Sequence, residues 1–443
     1  MLNLPLFNFD ALSLLMICLV GFIGLVVGSF SLRYMAGDRK KKAFFVQLAL
    51  LISSISILVS ADFMPLLVLA WWVSNLLLCR IMLHKSEWAA AKASAHLALK
   101  NFTLGAIALA SAVAILGWSS GTWQISALKF SSIPTMAMAF SGVLILIAAL
   151  SQSAIWPFHR WLLSSLNSPT PVSALMHAGL VNGGGFLIAR FAFVFLEQAW
   201  LMQWVFILGS ITALLGTCWK LMQHDVKRML ACSTMGQMGF MLAECGLGLF
   251  AAAISHLIWH GMFKAYLFLN SGSAATEKRV LLNTHPSKLH FLIAICLGGL
   301  GAISFAYVSQ RPLLPHDTSL FIHVLAWVAC TQGALSVLQS QFRFNLLIAA
   351  AVSVLIAMIY AGNLSLIEYL LEPMQILVPQ SMVAIHWIVL GLLLIVWLLM
   401  FLRYMLPEQS YVPGWRLRLY VSMLNASQPS AKTVTAHRNH YQY

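Results

Sequence analysis

Apolar runs of roughly 17–25 residues recur along almost the whole chain, each long enough to cross about 30 Å of hydrocarbon as a helix. No soluble core requires apolar sequence this continuous. Lipid leaves no backbone group unpaired, so spanning segments must be helices or a closed barrel. The period-2 alternation of barrel strands is absent. The chain has 443 residues, 60% of them hydrophobic and 9% charged, where a soluble chain carries about 25% charged residues. The expected fold is therefore all-α: a polytopic membrane helix bundle of about 13 transmembrane helices. Spans are expected near 12–32, 44–60, 64–83, 101–118, 135–154, 171–190, 201–219, 229–245, 251–269, 290–307, 320–338, 345–360 and 383–402. They divide the chain into a transmembrane domain over 1–405 and a basic tail over 406–443. The tail reads as a mobile cytoplasmic end whose residues 415–420 lie on the membrane surface.

The charge balance is strongly basic, 26 Lys+Arg against 12 Asp+Glu. In a soluble chain that would indicate a nucleic-acid partner. Here the charges alternate between loops, as topology signals do. Alternate loops carry Arg33 with Arg39 to Lys42; Arg80, Lys85, Lys92 and Lys100; Arg160; Lys220, Lys227 and Arg228; Lys278, Arg279 and Lys288; and Arg343. The intervening loops carry Asp62, Lys129, Glu197, Arg311, Glu368 and Glu372. This pattern predicts an outside N-terminus, a cytoplasmic C-terminus and no cleaved leader. The seven cysteines are scattered singly, without a CxxC pair, so no metal site, cofactor or disulfide framework is expected in this chain.

Ionisable groups inside hydrocarbon are costly and are functional candidates by default. His256, His260 and Lys264 follow at i, i+4, i+8 on one helix. That spacing aligns them on one face, about 6 Å apart along the axis. Histidine titrates near neutrality and a desolvated lysine can release its proton, so the stripe is expected to act as a proton relay. Polar glue between helices is the other use of such residues. A second feature is the interrupted segment from Gln152 through Pro157, His159, Pro169 and Pro171 to His177. Pro157 removes a backbone donor at the end of one span, and Pro171 suits the first turn of a new helix. Broken backbone at membrane depth survives where protein or a cavity satisfies it, so a discontinuous helix is expected here. Lys220 is either buried in the proton path or extends to the interface. Glu244 is either a proton uptake or release group or an interfacial carboxylate.

Four strings carry a family resemblance. They are Pro157-Phe-His-x-Trp-Leu; Pro169-Thr-Pro-Val-Ser-Ala-Leu-x-His-Ala-Gly179; Asp225-Val-Lys-Arg-x-Leu-Ala-x-Ser-Thr-Met-x-Gln-Met-Gly-Phe240; and His256-Leu-x-x-His-x-x-Phe-Lys-Ala265. With Phe30-Ser-Leu-Arg-Tyr-Met-Ala-Gly-Asp38 they resemble the proton-translocating, antiporter-like subunits of respiratory complex I and of Mrp antiporters, over about residues 25–275. The chain departs from that pattern in places. The family's lysine before the Pro-x-x-x-Trp segment falls at Gln152, which cannot ionise. The early carboxylate helix reads Ala70-Trp-Trp-Val73, without Asp or Glu. No Gly-Phe-x-Ser-Lys-Asp helix follows Thr276, and no long lateral helix follows at the C-terminus. The strings His177-Ala-Gly-Leu-Val-Asn-Gly-Gly-Gly-Phe186 and Gln237-Met-Gly-Phe-Met-Leu-Ala-Glu-Cys-Gly-Leu-Gly248 are similar to the DabB family, the membrane subunits of DAB inorganic carbon transporters.

That resemblance implies a proton-conducting membrane subunit rather than an enzyme. It also implies a DabA-like, zinc-containing, carbonic-anhydrase-like cytoplasmic partner that performs any CO2 hydration. The alternatives within the wider resemblance are a proton-pumping subunit of a complex I-like NADH-quinone oxidoreductase and a cation/proton antiporter subunit.

Overall fold

A computed structural model describes residues 6–275, 287–340, 345–405 and 413–434. Lys278, Arg279, Arg343 and the tail residues 406–412 and 435–443, on which some of the charge pattern rests, lie outside the described residues. The element order is α1 (Ala11–Tyr34), α2 (Lys41–Ser60), α3 (Met64–Met82), α4 (Ala89–Ser120), α5 (Ile125–Leu128), α6 (Thr135–Gln152), α7 (Arg160–Leu163), α8 (Thr170–Ala178), α9 (Gly183–Arg190), α10 (Ala192–Leu196), α11 (Ala199–Leu221), α12 (Val226–Gly246), α13 (Phe250–Leu269), α14 (Lys288–Val308), α15 (Leu320–Leu338), α16 (Asn345–Leu371), α17 (Ala384–Met405) and α18 (Gly414–Ala426).

Among the described residues, ten segments are helical, long and apolar enough to cross a membrane, with α8 and α9 counted as one. The helices α12, α13 and α17, with 21, 20 and 22 residues, supply the other three expected spans. The first two are less apolar because they carry buried polar side chains, which makes them the place to look for chemistry.

Two helices outrun their expected spans. The helix α4 has 32 residues and starts at Ala89, twelve positions before its apolar core. Residues 89–100 are half alanine, the best helix former, so the helix continues where hydropathy alone sees a loop. The helix α16 likewise runs to Leu371 and takes in Glu368, which the charge pattern places in a loop.

The described residues form two compact units. The first holds α1 to α12, most of α13 and the end of the chain. Its helices α11 and α12 meet backbone to backbone. A methyl group added at Gly216 would lie 2.3 Å from the Gly236 nitrogen, and one added at Gly209 would lie 2.5 Å from the Ala243 nitrogen. Small residues permit such close helix approach in membranes. At the loops of this unit the His84 ring sits 2.9 Å from Asp38, and this hydrogen bond holds the Asp38 carboxyl below the usual carboxylate range. Residues 427–433 are anchored rather than loose. Gln223 donates to Ser427 Oγ at 2.8 Å, the Ser430 nitrogen donates to Ser164 Oγ at 3.1 Å, and Asn167 donates to the Thr433 carbonyl at 2.5 Å. Residues 427–433, expected to be mobile, are therefore held by hydrogen bonds whose partners are scattered polar side chains with no periodicity to read.

The second unit holds the start of α13 and α14 to α17. Its core packs Phe291 and Ala294 against Ala334, Leu335, Leu338 and Ala349, with Trp397 against them. Arg311 and Glu368, read separately as loop charges, pair with each other. They border a cavity of about 250 Å3 lined also by Phe250 and Ile322.

Candidate functional site

The helix α12 is the scaffold of the site. At its end Glu244, 5% exposed, accepts from His256 Nδ1 of α13 at 2.9 Å. The other ring nitrogen of His256 meets Gln237 Oε1 of α12 at 2.9 Å. The carboxylate accepts, so Nδ1 donates to Glu244, while Nε2 meets the Gln237 amide, which can present either its oxygen or its NH2. One turn on, the His260 ring centre lies 6.0 Å from that of His256, edge to face. His260 is buried, and its Nε2 has no hydrogen-bond partner among the described residues.

One further turn along α13, Lys264 is 1% exposed and donates to the Leu230 carbonyl of α12 at 3.2 Å. The same carbonyl accepts from Thr234 Oγ1 at 3.0 Å, and Thr234 Oγ1 in turn lies 3.1 Å from His177 Nδ1 of α8. A hydroxyl has one hydrogen. With that hydrogen on Leu230, His177 donates through Nδ1 and its Nε2 is left to accept a proton; with it on His177, the roles of the two ring nitrogens reverse. The His177 ring stacks on Phe268 with centroids 4.2 Å apart, which fixes its plane. Six expected relay residues thus sort themselves: Glu244, His256, His260, Lys264 and His177 form one line, while Lys220 lies exposed at the end of α11. Its exposure follows from its place in the last turn of its helix, where a long stem reaches out of the apolar layer.

The interrupted segment is more broken than its prolines imply. After Gln152 the chain leaves helix, forms the short α7 behind His159, and restarts at α8 with Pro171 in its first turn. His159 is buried against Trp219, with ring centres 5.1 Å apart. Pro157 is exposed, and Pro169 directly precedes α8. A second break, expected to be continuous helix, falls at Gly179–Asn182 between α8 and α9. The carbonyls freed there are satisfied from the end of α6: Gln152 donates to Leu180 at 3.3 Å and Ser153 donates to Val181 at 2.6 Å. Gln152 also donates to Asn75 Oδ1 of α3 at 3.0 Å. Where the family resemblance implies a carboxylate and a lysine, this chain therefore has two neutral amides. The α3 partner is Asn75, a turn beyond the Trp71 region where a carboxylate was sought. A cavity of about 30 Å3 lined by Trp71, Ser74, Gln152 and Leu180 adjoins this pair.

Sequence reasoning missed Gln237, Thr234, the Leu230 carbonyl and Asn75. Neutral polar side chains and backbone oxygens carry no periodic signal. The string Ser233-Thr234-Met-x-Gln237 is the available hint, because it sets polar residues three apart on the helix facing the stripe.

A helical membrane bundle with a twice-broken helix beside a histidine–lysine line defines an antiporter-like protein. The chain belongs to the family described as "NADH:quinone oxidoreductase/Mrp antiporter, TM", which residues 60–290 match. Residues 5–45 match "NADH-Ubiquinone oxidoreductase (complex I), chain 5 N-terminus". The chain is 38% identical over 295 residues to the "Probable inorganic carbon transporter subunit DabB1" of Halothiobacillus neapolitanus, covering 64% of this chain and 52% of that protein. It is 34% identical over 316 residues to the "NADH-quinone oxidoreductase subunit L" of Buchnera aphidicola, covering 68% of this chain and 51% of that protein. Its fold is similar to a chain of the Mrp complex from Dietzia sp. DQ12-45-1b, with a TM-score of 0.63 at 23% identity over 95% of this chain and 52% of that one. The chain spans about half the length of these relatives.

Proposed function

We propose that this chain is the proton-conducting membrane subunit of an energy-coupled inorganic carbon transporter, driving CO2 hydration or bicarbonate uptake in a DabA-like, zinc-containing, carbonic-anhydrase-like partner. The observation that carries the reading is the alignment of the Glu244–His256 pair, His260 and Lys264 along α13, with Lys264 bonded to the Leu230 carbonyl that Thr234 and then His177 adjoin. Each ionisable group held in lipid costs roughly 2.5–3.5 kcal/mol on insertion scales, more than a mere anchor warrants. The resemblance to carbon-transporter membrane subunits at 38% identity supports the choice within the family. On this reading the N-terminus faces outside and the C-terminus the cytoplasm of a bacterial inner membrane.

A proton arriving at His260 Nε2 passes to or from the neighbouring His256 through one water. When His256 gives up its Nε2 proton, the Gln237 amide must turn to present its NH2, because Oε1 cannot bond a bare nitrogen lone pair. Lys264 then gives or takes a proton next to Leu230, and His177 Nε2 accepts at the far end of the line. One charge moved across 100 mV releases about 2.3 kcal/mol, and about 1.4 kcal/mol is already a tenfold bias.

The experiment is labelled inorganic carbon uptake in a carbonic-anhydrase-deficient host that expresses this chain with a DabA-like zinc protein. Uptake is expected to stop when an uncoupler collapses the proton gradient. Uptake that continues without the gradient refutes the reading. NADH oxidation with proton pumping that depends on this chain would place it instead among the respiratory subunits.

A further inference from the structure

A second site lies on the first unit, away from the relay. Cys79, Leu83, Leu97 and Leu99 wall a groove of about 860 Å3 whose charged lining is Lys92, Lys100 and Lys432, with His96 between the first two. Lys92, His96 and Lys100 are exposed and follow at i, i+4, i+8, so they form one stripe on α4 about 12 Å long. Among the described residues none of the three lysines meets a carboxylate. Lys432 reaches the groove because the end of the chain is pinned there: Asn167 bonds both the Thr433 carbonyl and Ser94 Oγ, and Ser164 Oγ accepts from the Ser430 nitrogen.

The same face of α4 then changes character. Leu104 and Ile107, the next residues along it, are 47% and 60% exposed. The helix is about 48 Å long at 1.5 Å per residue, well beyond about 30 Å of hydrocarbon. Its first three turns, which carry the lysines, therefore stand at headgroup level, and its exposed leucine and isoleucine stand at acyl-chain level. Cations above, apolar side chains below and an apolar-walled groove between them match an amphiphile with an anionic head.

We propose that this groove binds one anionic glycerophospholipid, its phosphate held by Lys92, Lys100 and Lys432 and its acyl chains lying along Leu97, Leu104 and Ile107. Basic pockets beside membrane helices recognise such headgroups through charge, and an apolar groove of this size suits a lipid segment.

The test is native mass spectrometry of the purified full chain titrated with cardiolipin, phosphatidylglycerol or phosphatidylcholine. One tightly held anionic lipid is expected, with phosphatidylcholine much weaker. In the triple variant Lys92→Gln, Lys100→Gln, Lys432→Gln its affinity should fall on the order of a hundredfold, since each lysine beside a headgroup is worth roughly fivefold. The triple Lys→Arg variant should retain it, which separates charge from folding. Equal retention of anionic lipid by the Gln variant overturns the proposal. So does equal binding of water-soluble glycerol 3-phosphate, or loss of a co-purifying acidic protein from the Gln variant with lipid adducts unchanged.

Discussion

Two buried polar junctions hold the first unit together, and they differ in one respect. At the α3–α6 junction Asn75 and Gln152, 0% and 4% exposed, share a hydrogen bond between neutral amides. At the α12–α13 junction Glu244, His260 and Lys264 are buried and His256 is partly buried between the first two. Both junctions satisfy backbone or side-chain groups that lipid would leave unpaired. Only the second is built from ionisable side chains. The contrast teaches that broken backbone and buried polarity alone do not make a proton site. An amide pair can serve the structural need at far lower insertion cost than a charged pair.

The largest expected effect comes from removing the buried cation. Lys264→Ala should reduce gradient-driven uptake on the order of 100-fold or more, as loss of a proton-transfer group does, while membrane insertion is unchanged. Lys264→Arg should fail equally, because guanidinium stays protonated. Uptake at normal rates in both variants would erase the difference between the two junctions.

The sequence already carried this part. The 3.6-residue period places His256, His260 and Lys264 on one face without any structure, and the apolar runs locate the spans that surround them. What the period cannot give is register between helices. Glu244 and His256 are twelve residues apart across a turn, and nothing in the intervening Cys245-Gly-Leu-Gly248 string says that their side chains meet. The same gap hid Thr234 and Gln237, which are ordinary helix residues until the α12–α13 contact gives them partners. It also let Lys220 pass as a relay residue, since depth in the membrane is a property of helix ends that hydropathy blurs. Asn75 went unseen because the search was for a carboxylate.

A smaller effect is expected at the partner of the imidazole. Glu244→Gln keeps a hydrogen-bonding side chain beside His256 but removes the charge, so uptake should fall about tenfold, at the weaker end of the effects of charge-assisted bonds. A variant with unchanged uptake and unchanged gradient dependence would make the Glu244–His256 contact a structural one.

The smallest effect on transport is expected at the amide junction. Gln152→Leu should leave uptake within threefold of normal. It should lower stability by roughly 1–3 kcal/mol, because Asn75 loses its partner inside the protein. The double variant Asn75→Leu, Gln152→Leu should recover the Asn75 share of that loss but not the share of the Leu180 carbonyl, which still lacks its Gln152 donor. Thermal melting in detergent measures the stability arm and labelled uptake the other. A Gln152→Leu variant that inserts and melts normally yet transports nothing would overturn the division between the junctions.

The backbone contact between α11 and α12 has a consequence for time. With no room for even a methyl group at Gly209 or Gly216, α12 cannot slide along α11, so Glu244, Gln237, Thr234 and the Leu230 carbonyl keep fixed addresses. Whatever alternates during turnover must be lighter than a helix: the hydroxyl of Thr234, the amide of Gln237, or water between imidazoles. Such rotors turn in picoseconds to nanoseconds, whereas helix shifts take microseconds to milliseconds. If the line conducts protons as proposed, it re-equilibrates many times within any slower event that consumes them, and the rate of the whole is set by that event.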